Sequence, residues 1–122
     1  MRTLIALTMV LTASVANAQQ ISVSRGLGVG SCSQFVKEYE ASTDVENHYF
    51  SWGQGLMTGL NLSLAQANRK GNSTIARNLS FWSTDEQKHF VRSYCDEHPL
   101  QLYMDAIVDL YQNFPTRPTT IR

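Results

Sequence analysis

The feature that most constrains this chain is a long helical pattern that runs from Thr43 to Lys70. Its apolar residues recur at spacings of three and four, which places them on one stripe of a helix with 3.6 residues per turn. Thr43 and Glu46 have the spacing of a capping box, in which hydroxyl and carboxylate each satisfy a free backbone N–H. The pattern predicts one long helix around which the domain packs, with a stripe of Val45, Tyr49, Trp52, Leu56, Leu60, Leu64 and Ala67.

Three glycines, Gly53, Gly55 and Gly59, interrupt this long helix. A glycine inside a helix costs roughly 1 kcal/mol relative to alanine, unless another backbone must approach closely at that point. We therefore expect the three glycines to form a groove for a crossing helix, with Gly55 and Gly59 at the crossing.

The first residues of the chain, 1–18, have the pattern of an export signal. Arg2 precedes an apolar run from Leu4 to Leu11, and Ala16 and Ala18 form the small-x-small pattern that signal peptidase recognises. We expect cleavage after Ala18 and a mature protein in the periplasm or secreted. The rest of the chain has no apolar run long enough for a transmembrane helix, so we expect no stable membrane insertion.

Charge and cysteine content narrow the function classes further. Without Arg2 the chain has nine basic and ten acidic residues, a formal charge of −1, and no basic cluster. Nucleic acid is therefore not an expected partner. Cys32 and Cys95 are the only cysteines, and in an exported chain a disulfide is the default expectation. Closing a loop of this length stabilises a fold by about 4 kcal/mol in the chain-entropy model.

The remaining segments predict three shorter helices. Residues 19–30, which contain Gly26, Gly28 and Gly30, predict a flexible lead; the glycines lack the spacing of a phosphate-binding loop. We expect a first helix from about Ser31 to Ser42, a third from Ser83, and a fourth from Pro99 to Phe114. The prediction is an all-α domain of four to five helices over residues 31–115, followed by a frayed tail over 116–122.

No set of residues predicts catalysis or metal binding. His98 follows Cys95 with the spacing of half a zinc site, but the second half is absent, and an oxidised cysteine binds no metal. His48 and His89 have no recognisable partner, and neighbouring carboxylates on a helix point in different directions. We therefore expect no catalytic residue, no metal and no cofactor.

Aromatic residues are numerous for a domain of this size. Phe50, Met57 and Trp82 lie off the predicted helical stripes. Exposed apolar side chains on a small protein often mark a binding surface. We expect these three residues to contact a partner protein.

Three segments carry a resemblance to known families. Cys32, the segment FSWGQGLMTGLN from Phe50 to Asn61, and YCDEHP from Tyr94 to Pro99 resemble the HdeA-like small periplasmic helical proteins. The layout is also similar to that of the Tai-type immunity proteins of type VI secretion. The resemblance implies a Cys32–Cys95 disulfide, a helix-packing role for Trp52, Gly55 and Gly59, and no catalytic residues.

These observations favour an exported, non-catalytic protein-binding protein. The HdeA-like group implies an acid-stress chaperone, and the Tai-type group implies a protein that neutralises a toxin. The alternative is a structural or assembly subunit that self-associates, as a homodimer for example, through the Gly53–Gly59 helix face.

Overall fold

A computed structural model describes residues 26–69 and 76–117 of the chain. Four helices pack together into a small all-α domain, which confirms the predicted fold class. The longest helix, α2, packs against α1 and α4, and α3 packs against the same two helices. The helices are α1 (Cys32–Ala41), α2 (Thr43–Arg69), α3 (Thr84–Glu97) and α4 (Tyr103–Asn113), with two short strands, β1 (Ala76–Arg77) and β2 (Thr116–Arg117).

A disulfide joins Cys32 of α1 to Cys95 of α3, as predicted. Both cysteines are fully buried, and they close a sequence separation of 63 residues. Beside them, Phe35 of α1 packs between Tyr49 of α2 and Tyr103 of α4, with ring centroids 5.0 Å and 4.8 Å away. The aromatic centre of the core therefore lies where α1, α2 and α4 meet next to the disulfide.

The fourth helix begins at Tyr103, later than predicted, because the segment before it caps α1. The N–H of Cys32 donates to the carbonyl of Gln101 at 2.7 Å, and the N–H of Ser33 donates to that of Pro99 at 3.0 Å. These amides belong to the first turn of α1, where the backbone N–H groups have no hydrogen-bond acceptor within the helix itself. The segment from Pro99 is thus held in a non-helical conformation, and Leu100 is 92% exposed.

Gly53, and not the two later glycines, lies at the helix crossing. A Cβ at Gly53 would lie 2.5 Å from Cδ1 of Ile107 in α4, whereas a Cβ at Gly55 or Gly59 would meet nothing within 4 Å. At 100° per residue, Gly55 and Gly59 lie about 200° and 240° around α2 from Gly53. The prediction that Gly55 and Gly59 pack against a helix is therefore wrong, because both face open space.

Trp52 does pack between elements, and it orders part of the predicted lead. Its indole lies against Gly28, where a Cβ would overlap the ring, and 6.4 Å from the Tyr103 ring. Leu27–Val29 forms one turn of 3-10 helix, preceded by Gly26 at φ 86°. The prediction of a flexible lead is wrong for residues 26–30, and residues 1–25, with the predicted cleavage site, lie outside the described residues.

The two strands tie the end of the chain to the segment before α3. Ala76 pairs with Arg117 and Arg77 with Thr116 in an antiparallel register. The prediction of a frayed tail is wrong for residues 116–117, because their backbone bonds to β1, and residues 118–122 lie outside the described residues.

Candidate functional site

Two of the three side chains predicted to contact a partner are in the core. Phe50 is 4% exposed and Met57 is 1% exposed, so neither is available to a partner. Both lie within about 60° of Gly53 around α2, on the side that faces α4. The prediction is wrong for these two because α2 buries a wider arc than the apolar stripe indicates.

Trp82, the third predicted contact residue, lies half-buried in the turn before α3. Its ring packs against Phe114 at 5.3 Å and against Phe90 at 5.8 Å between centroids. The buried amide of Gln87 holds the turn, because its Nε2 donates to the carbonyls of Leu79 at 3.1 Å and Trp82 at 2.8 Å. This arrangement leaves the neighbouring Phe81 61% exposed.

The predicted capping box at the start of α3 fixes the same turn. The N–H of Ser83 donates to Oε2 of Glu86 at 2.7 Å, and the N–H of Glu86 donates to Oγ of Ser83 at 3.3 Å. The bonds from the Ser83 side chain and then its backbone lower the pKa of the Glu86 carboxyl. Trp82 is therefore held from both sides, by the cap that follows it and by Gln87.

Next to Trp82, a mostly apolar depression of about 250 Å³ begins a longer groove. A second depression, of about 430 Å³, continues from it between α3 and α4, and a third, of about 330 Å³, continues along α4. The first and second share Phe90 and Ser93, and the second and third share Tyr94 and Asp109. We call the three together the α3–α4 groove; its described lining is Trp82, Glu86, His89, Phe90, Ser93, Tyr94, Glu97, His98, Gln101, Asp105, Val108, Asp109 and Gln112.

The middle of the α3–α4 groove is formed by a stacked pair of rings. The rings of Tyr94 and His98 lie 4.4 Å apart between centroids, and Nδ1 of His98 is 2.9 Å from the carbonyl oxygen of Tyr94. Burial, and then the nearby carboxylates of Asp105 and Asp109, raise the pKa of the Tyr94 phenol. Tyr94 therefore stays neutral at physiological pH and presents a hydroxyl beside carboxylates.

The far half of the groove is acidic and has no counter-charge of its own. Of the described residues that line it, Glu97, Asp105 and Asp109 are carboxylates and none is Lys or Arg. Asp105 accepts a hydrogen bond from the N–H of Leu102 at 3.0 Å, which caps α4. The carboxylates of Glu97 and Asp109 make no hydrogen bond or ion pair with described residues.

The basic side chains of α3 point toward α2 and away from the groove. Nζ of Lys88 donates to the side-chain oxygen of Asn47 at 2.6 Å, and Nε of Arg92 lies 2.7 Å from Oε1 of Glu46. The Arg92–Glu46 contact is the one ion pair among the described side chains. The two faces of α3 thus differ in charge, cationic toward α2 and anionic toward the groove.

The disulfide excludes a zinc site formed by Cys95 and His98. The sulfur of Cys95 is bonded to Cys32, so no thiolate remains for a metal. Within residues 26–69 and 76–117, no group of three His, Cys, Asp or Glu residues could hold a metal ion. His48 and His89 are both exposed, on α2 and α3 respectively.

Comparison of this chain with protein-family models, curated proteins and solved structures finds no match. The resemblance to HdeA-like and Tai-type proteins therefore stays a prediction. Among the described residues, no helix is long and apolar enough to cross a membrane.

Proposed function

We propose that this chain is a small exported protein that acts without catalysis, by binding another protein at neutral pH in the manner of an immunity protein. Export to the periplasm, with cleavage after Ala18, is part of the proposal, and the Cys32–Cys95 disulfide fits an oxidising compartment. One observation carries the proposed binding. Phe81 is largely exposed in the turn before α3, next in sequence to the half-buried Trp82, which lines the apolar end of the α3–α4 groove together with Phe90.

The rigidity of this aromatic cluster supports a specific binding role. Gln87, the Ser83–Glu86 capping box and Phe114 hold Trp82 in place without any partner. A preorganised surface loses little conformational entropy on binding, and aromatic residues are enriched among those that dominate binding energy. Both features favour one-to-one recognition of a folded protein over loose capture of unfolded chains.

Titration calorimetry at pH 7 with the protein encoded next to this one tests the proposal, because immunity proteins are usually encoded beside their toxins. Replacing Phe81 with Ala should weaken binding by about 2 kcal/mol or more, as loss of an interface anchor does. Leu62→Ala is the matched control, since Leu62 is 60% exposed, against 61% for Phe81, and lies on α2 outside the groove. Equal losses in the two variants, or no binding by the wild type, would contradict the proposal.

The Glu38–Tyr49 contact favours an acid-stress chaperone as a second candidate. The Tyr49 hydroxyl, from the aromatic core, donates to Oε2 of Glu38 at 2.8 Å. Protonation of Glu38 weakens this bond, so acid loosens the packing between α1 and α2. A chaperone of this kind should bind an apolar dye increasingly as pH falls from 7 to 3 and suppress aggregation of client proteins there. An immunity-like protein should bind its partner at pH 7 and bind little dye.

The alternative of a self-associating subunit rests on the exposed face of α2. Ile107 occupies the space over Gly53, so that only Gly55 and Gly59 of the proposed face are open to a second copy. Sedimentation velocity across a concentration series tests this, because a homodimer through that face should dissociate when Gly59 is replaced by a bulky Leu.

A further inference from the structure

The α3–α4 groove has the dimensions of a site for a peptide segment. It follows α3 from Glu86 to Glu97, which is a distance of about 16 Å at 1.5 Å per residue. An extended chain advances about 3.3 Å per residue, so roughly five residues of a partner span it. The first two depressions share Phe90 and Ser93, so a single segment can contact both, and the third lies beside the second, with which it shares Tyr94 and Asp109.

The groove changes character along this length, and this indicates the chemistry of its occupant. Trp82 and Phe90 make the first end apolar, whereas Glu97, Asp105 and Asp109 surround the other end. The carboxylates of Glu97 and Asp109 make no hydrogen bond or ion pair with described residues, and the side chains of Lys88 and Arg92 are held against α2. An uncompensated group of carboxylates attracts cations and repels acidic chains.

We infer that the α3–α4 groove binds a basic segment of a partner protein, with an apolar side chain against Trp82 and Phe90 and Lys or Arg side chains beside Glu97 and Asp109. This inference rests on the proposed function and adds the chemistry of the partner. A second copy of the chain is a poorer occupant through this face, because two such grooves would oppose carboxylates to carboxylates.

The test uses two synthetic peptides of equal length and the exported protein with its disulfide intact. One peptide carries a Phe followed by lysines; in the other, glutamates replace the lysines. NMR titration of ¹⁵N-labelled protein follows binding into the millimolar range. The lysine peptide should shift the backbone amide signals of α3 and α4 around Phe90, Tyr94 and Asp109, and added salt should weaken its binding. The glutamate peptide should leave these amides unchanged.

Two double variants separate a specific site from general attraction to an acidic protein. Glu97→Gln with Asp109→Asn should weaken the lysine peptide at least tenfold. Glu40→Gln with Asp96→Asn removes the same charge from a different depression, which Lys37 also lines, and should change affinity less than twofold. Circular dichroism should show both variants folded.

Several results would overturn the inference. The inference is wrong if 1 mM lysine peptide shifts no amide signals, or shifts only signals elsewhere on the protein. It is also wrong if the two double variants weaken binding of the lysine peptide equally, or if the protein dimerises in sedimentation through this groove. The inference and the proposed function can fail independently of each other. If the natural partner binds and loses affinity with Phe81→Ala but not with Glu97→Gln and Asp109→Asn, the binding role stands and the basic partner does not.

Discussion

The side-chain amide of Asn61 pairs with the backbone of Arg77 in both directions. Its Nδ2 donates to the carbonyl of Arg77 at 2.9 Å, and its Oδ1 accepts from the N–H of Arg77 at 2.9 Å. The same Oδ1 accepts from the Tyr111 hydroxyl at 2.8 Å. Arg77 in turn donates from Nη1 to the carbonyl of Phe114 at 2.9 Å. One amide of α2 therefore holds β1 in place and ties it to α4.

Replacing Asn61 with Ala should lower the free energy of unfolding by about 2–3 kcal/mol. The change removes three hydrogen bonds, each with a net value of about 1 kcal/mol, and leaves partly buried groups of Arg77 without a partner. Urea denaturation with the disulfide intact measures the effect. Gln66→Ala is the control, because Gln66 is exposed on the same helix, and its effect should stay within about 0.5 kcal/mol. Equal effects of the two changes would contradict the role of Asn61.

Two glycines of α2 should respond to alanine in opposite directions. Gly53→Ala should destabilise the fold by about 1–3 kcal/mol, because the new methyl group overlaps Ile107. Gly59→Ala should stabilise it by up to about 1 kcal/mol, because its Cβ meets nothing and alanine favours the helix. Thermal unfolding of the two variants measures both signs.

Ile107→Val combined with Gly53→Ala checks the cause of the first effect. Valine lacks Cδ1, the atom nearest to the new methyl group. The double variant should therefore lose less stability than the sum of the two single variants. Additive losses would mean that Gly53 is needed for another reason.

The sequence predicts which segments form helices better than it predicts which face of each helix is buried. The predicted export signal and the cysteine count together predict the bond between Cys32 and Cys95, which the structure contains, and the spacing of Ser83 and Glu86 correctly predicts the start of α3. The apolar stripe of α2, however, omits Gly53, because a residue without a side chain adds nothing to a hydrophobic pattern. The buried face is centred near that glycine, and for this reason Phe50 and Met57, predicted to be exposed, are buried.

The candidate site depends on contacts between segments that are distant in sequence. Trp82 could be singled out because it lies off the stripes, but its packing on Phe114 is a tertiary contact. The acidic end combines Glu97 of α3 with Asp105 and Asp109, which lie four residues apart on α4, and no spacing within one helix relates Glu97 to these two. Periodicity places each residue on its own helix and gives no information on which faces of two helices meet.

Acid should weaken the fold through Glu38. Hydrogen bonds from Gln34 and then from Tyr49 lower the pKa of the Glu38 carboxyl in the folded state. A folded-state pKa below the unfolded value stabilises the fold above the unfolded pKa, about 4.3 for glutamate, and this contribution is lost as pH falls through the lower folded value. Urea midpoints measured from pH 7 to pH 2.5 should therefore fall more steeply for the wild type than for Glu38→Gln.

Glu40→Gln serves as the control for this pH dependence, since Glu40 lies on the same helix and its carboxylate makes no hydrogen bond with described residues. Its midpoints should follow the wild-type curve.

At the alkaline end, burial and the bond to Glu38 raise the pKa of Tyr49 to about 12. Stability should fall as pH rises from about 10, where an unfolded tyrosine ionises, toward that value, and Tyr49→Phe should remove this part of the loss.

Histidine substitutions should leave the function nearly intact. His48 is an isolated exposed side chain on α2, and the His98 ring is occupied by its stack on Tyr94. His89 lines the apolar end of the α3–α4 groove with Glu86, but the Glu86 carboxylate is bonded to Ser83, and His89 belongs to no metal-binding group in the described part of the chain. Alanine at His48 should change partner affinity less than twofold, and alanine at His89 or His98, which both line the α3–α4 groove, should cost at most about 1 kcal/mol as lost contact area. Calorimetry with the same partner as for Phe81→Ala provides the measurement. If His89→Ala abolished activity while Phe81→Ala retained it and both stayed folded, the active group would be the imidazole, and a reaction rather than a binding surface would have to be sought around α3.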